Sequence, residues 1–139
     1  MVNWEDPTTW SVLVVDDEPD NLEVVAEVLM YRGLTVQTAS NGIEGLQRLE
    51  SFTPTLILLD LSMPGMNGWE MRMRVKSNPI AQHIPIVALT AHAMVNDKQR
   101  ALEVGFDGYI TKPINILTLL QDVRAAVDNF VMREMGRVK

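Results

Sequence analysis

The fold is decided by the stretch VLVVDDEP at residues 12–19. Its four consecutive apolar residues, three of them valine, are typical of a short strand that is buried on both faces. The run ends in three acids, and Pro19 favours the first turn of a helix. A buried strand followed at once by a helix is the unit from which parallel sheets are built.

Four further apolar or β-branched runs follow, and stretches with helical spacing separate them. The predicted strands are 11–15, 34–38, 55–59, 84–89 and 108–111. The second and fifth are mixed in polarity, as edge strands are, whereas the other three are almost continuously apolar. We therefore predict a flavodoxin-like α/β fold, a doubly wound five-stranded parallel sheet with strand order 2-1-3-4-5 and five helices.

Apolar stripes predict three of the helices, at Leu22, Val25, Ala26 and Leu29, at Ile43, Leu46 and Leu49, and at Leu117, Leu120, Val123 and Val127. Residues 69–75 alternate in polarity as a strand would. We interpret them as a helix because Met, Arg, Glu and Lys favour helices and residues 67–68, Asn-Gly, offer a start. Met71 and Val75, four residues apart, should then face the core.

Length and composition indicate one globular domain. The 139 residues are 47% hydrophobic and 22% charged, and no apolar run approaches the length of a membrane span. The chain has no cysteine, which excludes disulfides and Cys-ligated metal sites, and its net charge of −6 argues against a nucleic-acid partner. We expect a loose leader at 1–9, the domain at 10–128, and a helix end with a tail at 129–139, in a cytoplasmic protein without a membrane partner.

Residues that carry chemistry follow the predicted strands at the points where the strands end. In strand order they are Asp16, Asp17, Glu18, Asp60, Thr90 and Lys112. Because the carboxyl ends of parallel strands meet at one edge of a sheet, these side chains should converge in one cleft. Carboxylates that lie close together repel each other unless a cation joins them, and an oxygen-only set of ligands suits Mg²⁺.

The same set of side chains indicates phosphoryl transfer. A carboxylate can attack a phosphoryl group, and Asp60 stands alone at the end of a central strand. Asp16 and Asp17 are adjacent and better placed to hold the ion. The metal, Lys112 and the Thr90 hydroxyl would together position the transferred group and neutralise its charge.

Four segments, taken in order, resemble the receiver domain of bacterial two-component response regulators, of the single-domain type that includes chemotaxis regulators. They are VVDDE at 14–18, LDLSMPGMNG at 59–68, ALTA at 88–91 and GYITKP at 108–113. The resemblance covers residues 10–128. It implies that Asp60 is the phosphoacceptor, and that Mg²⁺ is bound directly by Asp17, Asp60 and the backbone carbonyl of Ser62 and through water by Asp16.

The resemblance also implies roles in signalling. Thr90 and Lys112 would contact phosphoryl oxygens, and Tyr109 would be a rotameric switch, although a static aromatic at this edge strand is equally compatible with the sequence. A sensor histidine kinase or a phosphotransfer protein would donate the phosphoryl group. The protein would not be an enzyme with an external substrate, since it would catalyse only its own phosphorylation and slow autodephosphorylation.

Two further expectations concern output and lifetime. A downstream protein target would bind the surface formed by helix 4 (roughly 94–104), strand 5 and the last helix. Ser62 and His92 flank the site and are neither amides nor acids that could orient an attacking water, which predicts a long-lived phosphorylated state.

Three other interpretations stay open. The chain could be a receiver module excised from a hybrid histidine kinase or a longer multidomain regulator. A flavin-binding electron carrier shares the topology, but the acids at 16–18 would repel its phosphate. A phosphatase with an Asp nucleophile usually has an Asp-x-Asp pattern, whose second acid protonates the leaving group. In this sequence Ser62 takes the place of that second acid.

Overall fold

The computed structural model describes residues 2–91 and 95–138. The strands are β1 (Ser11–Val15), β2 (Thr35–Ala39), β3 (Leu56–Asp60), β4 (Ile86–Thr90) and β5 (Gly108–Thr111). The helices are α1 (Pro19–Tyr31), α2 (Gly42–Arg48), α3 (Gly68–Lys76), α4 (Val95–Val104) and α5 (Leu119–Val138). The predicted bounds of the strands differ from these by at most two residues.

The five strands form one parallel sheet in the order β2-β1-β3-β4-β5, which confirms the predicted fold. Every residue of β3 and β4 is buried, whereas β2 alternates between exposed and partly buried positions up to its last residue. The polarity of a strand thus follows its place in the sheet, because only the central strands are covered by helices on both faces.

The sheet separates two apolar cores. On one face, α1 and α5 pack against the sheet through residues such as Leu29, Leu119 and Val123, which are fully buried. On the other face, α2, α3 and α4 cover it, with Met71 and Phe106 among the large buried side chains. The alternation of β and α segments in the sequence therefore produces a three-layer domain.

The interpretation of residues 69–75 as a helix is confirmed. Asn67 caps α3, since its Oδ1 accepts a hydrogen bond from the backbone N–H of Glu70 at 2.9 Å. Glu70 in turn accepts a hydrogen bond from the backbone N–H of Asn67, at 3.3 Å, and closes a capping box. Met71 and Val75 are buried as expected.

Two of the predicted apolar stripes are wrong in part. Ile43 is 60% exposed, because α2 turns Gly42 and Gly45 toward the sheet and the side chains of Met66 and Met71 fill the space beside them. Leu117 is 79% exposed because it precedes α5, which begins at the fully buried Leu119.

Residues near both ends of the described chain pack on the domain or continue its helices. Trp4 contacts the rings of Trp10 and Phe130, with ring centroids 6.5 and 5.7 Å apart, so the leader packs against α5. Helix α5 continues to Val138, so residues 129–138 are helical, where the sequence suggested a helix end and a tail. Across the described ranges, no helix combines the length and the apolar character that crossing a bilayer requires.

Candidate functional site

The carboxyl ends of four strands bring the predicted site residues to one edge of the sheet. Asp60 and Thr90 are the last residues of β3 and β4, and Lys112 follows β5 directly. The backbone N–H of Lys112 donates a hydrogen bond to the carbonyl of Thr90 at 2.8 Å, which aligns the ends of β4 and β5. Asp16, Asp60 and Thr90 are all buried, so their polar groups lie beneath the surface of the cleft.

Lys112 connects the acids of this cleft. Its Nζ lies 2.9 Å from Oδ2 of Asp16, 3.2 Å from Oδ2 of Asp60 and 3.8 Å from Oε1 of Glu18. Burial lowers the pKa of Lys112, but the hydrogen bonds and negative charges of Asp16 and Asp60 outweigh it and raise the pKa above its ordinary value. The ammonium is therefore fixed in its charged form between two buried carboxylates.

The electrostatic balance at Asp60 is unfavourable for its charged form. Burial raises the pKa of Asp60 to about 7, and the negative charge of Asp16 adds to this effect. The backbone N–H of Ser62, which donates to Oδ1 of Asp60 at 3.0 Å, and the charge of Lys112 lower the pKa only in part. One ammonium thus does not compensate the negative charge of the cleft, and a further cation would stabilise it.

The donor atoms fit a hard divalent cation. Asp16, Asp17 and Glu18 each offer a carboxylate oxygen, and these oxygens lie within 4.8 Å of one another. Oδ2 of Asp16 is buried and faces the ammonium of Lys112 at 2.9 Å. A set of closely spaced carboxylate oxygens suits Mg²⁺, which prefers oxygen ligands and retains several waters.

The structure separates the predicted ligands by burial. Asp16 and Asp60 are buried, Asp17 is half-buried and the Ser62 side chain is exposed. Glu18 belongs to the same acidic group and has a side chain that is 63% exposed. The sequence placed Glu18 at this edge but gave it no role, since no pattern distinguishes it from an ordinary acid before a helix.

The backbone beside Asp60 depends on Gly68, the first residue of α3. The N–H of Gly68 donates to the carbonyl of Leu61 at 3.1 Å. A Cβ at this position would collide with the carbonyl oxygen of Asp60 and the Cα of Leu61. The start of α3 therefore packs directly on the backbone that carries Asp60.

Tyr109 lies on the edge strand β5, three residues before Lys112. Its side chain is half-buried against the core, and Nζ of Lys98, on α4, lies 4.9 Å from the centre of its ring. On the other side of α4, the guanidinium of Arg100 lies 4.4 Å from the ring of Trp69. His92, which is predicted to influence the lifetime of the phosphorylated state, and residue 94, the predicted start of helix 4, lie outside the residues that the structure describes.

Comparisons with known proteins agree with this architecture. Residues 12–124 match the family model of the response regulator receiver domain. The polar-differentiation response regulator DivK of Brucella anthropi is 30% identical over 115 residues, which cover 83% of this chain and 94% of that protein. The sensor histidine kinase GacS of Pseudomonas protegens is 39% identical over 115 residues, which cover 81% of this chain and 12% of the kinase.

A solved structure shows the same fold. The chemotaxis protein CheY4 of Vibrio cholerae superposes with a TM-score of 0.79 at 32% identity, and the match covers 84% of this chain and 98% of that one. The family match spans far more than half of the chain and includes β1, β3, β4 and β5, whose ends form the acidic cleft. The chain therefore belongs to the response regulator receiver domain family.

Proposed function

We propose that this protein is a phosphorylation switch in which Asp60 accepts a phosphoryl group. The observation that carries the proposal is a buried carboxylate at the end of a central strand, 3.2 Å from the ammonium of Lys112. Receiver domains are signalling proteins of two-component systems, and phosphohistidine on a sensor histidine kinase or a phosphotransfer protein is the proposed donor. An oxygen of Asp60 forms the new bond to phosphorus, the bond from phosphorus to the donor nitrogen breaks, and that nitrogen keeps the electron pair.

The residues of the cleft divide the work between positioning and charge neutralisation. Asp17, Asp60, the carbonyl of Ser62 and, through water, Asp16 would hold Mg²⁺, which supplies positive charge for the phosphoryl oxygens. Lys112 would move from its contacts with the carboxylates to one of those oxygens, since its ammonium already lies beside Asp60.

The Thr90 hydroxyl would bind another phosphoryl oxygen and draw the end of β4 toward the cleft. Thr90 is buried at the strand end next to that of Asp60, which supports this role. Tyr109 lies on β5, whose neighbour in the sheet is β4, and it contacts Lys98 of α4. A movement at Thr90 would thus be transmitted to the outer surface of α4 and β5.

The downstream target would bind to that surface, and a cavity there supports this part of the proposal. A cavity of about 390 Å³ lies between α4, β5 and α5, and its lining includes Leu102, Tyr109 and Asp122. Tyr109 forms part of its wall, so a change in the tyrosine rotamer would change what the cavity accepts. A difference of about 2–3 kcal/mol between the two arrangements would shift their populations roughly thirty- to hundredfold.

The proposal includes a slow loss of the phosphoryl group and a cytoplasmic location. Ser62 is exposed beside the site and has no amide or carboxylate that could orient an attacking water. The same chemistry applies to a receiver module of a longer protein, and the match to a segment of the much longer GacS kinase supports that alternative.

The test is direct phosphorylation. The full chain is incubated with Mg²⁺ and acetyl phosphate, and the intact protein and its peptides are weighed by mass spectrometry. We expect one added phosphoryl group on the peptide that contains Asp60, and none in the Asp60→Asn variant. Phosphorylation of Asp60→Asn at the rate of the parent protein would refute the assignment.

The switch has a separate test. Amide hydrogen exchange is compared with and without beryllium fluoride, a phosphoryl mimic. We expect altered protection at Tyr109 and along α4 in the parent protein, and altered protection only around Asp17 and Asp60 in Thr90→Ala. A parent protein that responds only around Asp17 and Asp60 would contradict the switch while leaving the phosphoacceptor intact.

A further inference from the structure

A second polar cavity, of about 340 Å³, lies at the opposite edge of the sheet from the acidic cleft. Its position is fixed by Asp107, which precedes β5 and whose Oδ2 accepts a hydrogen bond at 2.7 Å from the N–H of Ile86, the first residue of β4. Arg72 and Lys76 of α3, His83 before β4, and Arg133 of α5 line it. We call these four basic side chains and the space between them the basal pocket.

The basal pocket is positive in a chain that is negative overall. Its lining carries three permanent cations against two carboxylates, Asp107 and Glu134, whereas the whole chain has a formal charge of −6. Asp107 is already engaged, because one of its oxygens binds the N–H of Ile86 and the other is ion-paired with Arg133. With Arg133 paired to Asp107, the cations Arg72 and Lys76 remain against one carboxylate, Glu134, which leaves the lining a formal charge of +1.

Arg72 is the most unusual member of this group. Its Nε is buried and has no hydrogen-bond partner among residues 2–91 and 95–138, and no carboxylate in those ranges forms an ion pair with it. Its guanidinium lies 5.5 Å from the ring of Phe106 and passes over Gly105, where any side chain would collide with Nη2. Burial lowers the pKa of Arg72, and the nearby positive charge of Arg133 adds to this effect.

These contacts orient a guanidinium but give it no anion. A buried N–H without a partner destabilises a fold, and two close guanidinium groups repel each other. An oxyanion in the pocket would offset the repulsion between the guanidinium groups, and the fork of donors on a guanidinium matches phosphate and carboxylate oxygens. Lys76 is held nearby, one turn along α3, by hydrogen bonds from Nζ to the carbonyls of Gln82 (3.0 Å) and Ile84 (3.1 Å).

We propose that the basal pocket binds the phosphate group of a small phosphorylated molecule. Phosphate fits better than a single carboxylate because it has more oxygens and more negative charge to share among Arg72, Arg133 and Lys76. The volume of the pocket exceeds that of a phosphate ion, so it leaves space for the organic part of a ligand.

A series of aromatic and cation–π contacts connects the pocket to α4. Phe106, which lies against Arg72, meets the ring of Trp69 edge-on at 5.5 Å, and the guanidinium of Arg100 on α4 lies 4.4 Å from the centre of that indole. A ligand that moves the Arg72 guanidinium would therefore change the surroundings of Trp69, whose indole N–H gives a separate signal in an NMR spectrum.

The experiment is a titration of the ¹⁵N-labelled full chain with inorganic phosphate, without Mg²⁺ and at constant ionic strength. We expect saturable shifts at the amides of Gly105 and Asp107 and at the indole of Trp69. Arg72→Gln should weaken the affinity at least about tenfold, because it removes charge-assisted hydrogen bonds. Arg74→Gln, an exposed position on the same helix, is the control for net charge and should change the affinity less than about twofold.

Three outcomes would overturn the proposal. The first is a set of shifts that do not saturate, or that weaken equally in Arg72→Gln and Arg74→Gln, which would indicate an adventitious ion only. The second is a response confined to Asp60 and Lys112, which would place the phosphate in the acidic cleft. The third is full phosphate affinity in Arg72→Lys, which would exclude a guanidinium-specific site. This variant keeps the positive charge but removes the fork of guanidinium donors, and it serves as the test if Arg72→Gln fails to fold.

Discussion

Replacement of Asp60 by asparagine should stabilise the protein in the absence of divalent cations. The carboxyl group is buried beside Asp16, and its pKa is raised from 3.8 to about 7. Asp60 binds its proton more tightly in the folded state than in the unfolded state. Below both pKa values the proton is bound in both states, so the group does not lower the free energy of unfolding there. It destabilises the fold increasingly as the pH rises from about 4 to about 7, and the cost is constant above that range. Asparagine has the same shape without this charge, and its amide could donate to Asp16.

The magnitude follows from the size of the shift. A rise of about three pKa units corresponds to at most about 4 kcal/mol in the free energy of unfolding. Solvent and counter-ions that enter the cleft beside the exposed Glu18 screen part of this cost. We therefore expect Asp60→Asn to be more stable than the parent by about 1–2 kcal/mol near pH 8, and about equally stable near pH 4.

Urea unfolding followed by circular dichroism, with a chelator present, measures the stability difference between Asp60→Asn and the parent near pH 8 and near pH 4. Asp128→Asn is the matched control, because it removes one carboxylate from an exposed position of α5. Added Mg²⁺ should reverse the order, since it stabilises a folded state that binds it and Asp60→Asn lacks a ligand. A stability difference between parent and Asp60→Asn that is the same at both pH values would refute the reasoning about the buried charge.

Three further predictions test the geometry around the site. Asp17→Asn should weaken Mg²⁺ binding, measured by calorimetry, at least about tenfold and more than Asp16→Asn does. Equal losses in the two variants would contradict the proposal that Asp17 binds the ion directly and Asp16 binds it through water. Tyr109→Ala should accept a phosphoryl group like the parent by mass spectrometry but lose the change in hydrogen exchange along α4, whose Lys98 contacts the tyrosine ring. Gly68→Ala should lower the free energy of unfolding by about 1–3 kcal/mol, because the added Cβ meets the Asp60 backbone. Gly136→Ala, in open space on α5, is the control and should be neutral or stabilising. Equal effects of the two substitutions would argue against the close packing of Gly68 on the Asp60 backbone.

The strand order and the location of the cleft could be predicted because both follow from local properties. The fully apolar β3 and the mixed β2 differ in sequence as they differ in cover by helices. Strand ends carry the site, so the position of Asp60 directly after a buried run was sufficient to place it. The same logic placed Thr90 and Lys112.

Other features depend on contacts between distant segments, and patterns along the chain do not contain them. The exposure of Ile43 is set by two glycines that let α2 approach α3 closely, and a count of apolar residues does not register glycine. The ion pair of Lys112 with Asp16 joins residues almost a hundred positions apart. The basal pocket likewise joins Arg72 and Arg133, each of which is an ordinary charged residue within its own helix.

The contacts of α4 explain why a phosphoryl group could reposition this helix. Of its described side chains, Ala101 is buried, whereas Leu102 is 50% exposed, so burial fixes the helix only weakly. Lys98 holds it to β5 and Arg100 holds it to α3, each through a cation–π contact that contributes about 0.5–1 kcal/mol at an exposed site. A hydrogen bond between the Thr90 hydroxyl and a charged phosphoryl oxygen contributes about 1.5–3 kcal/mol. In the proposed switch, one such bond is of sufficient size to offset the loss of the Lys98 contact, and the contact between Arg100 and α3 would remain.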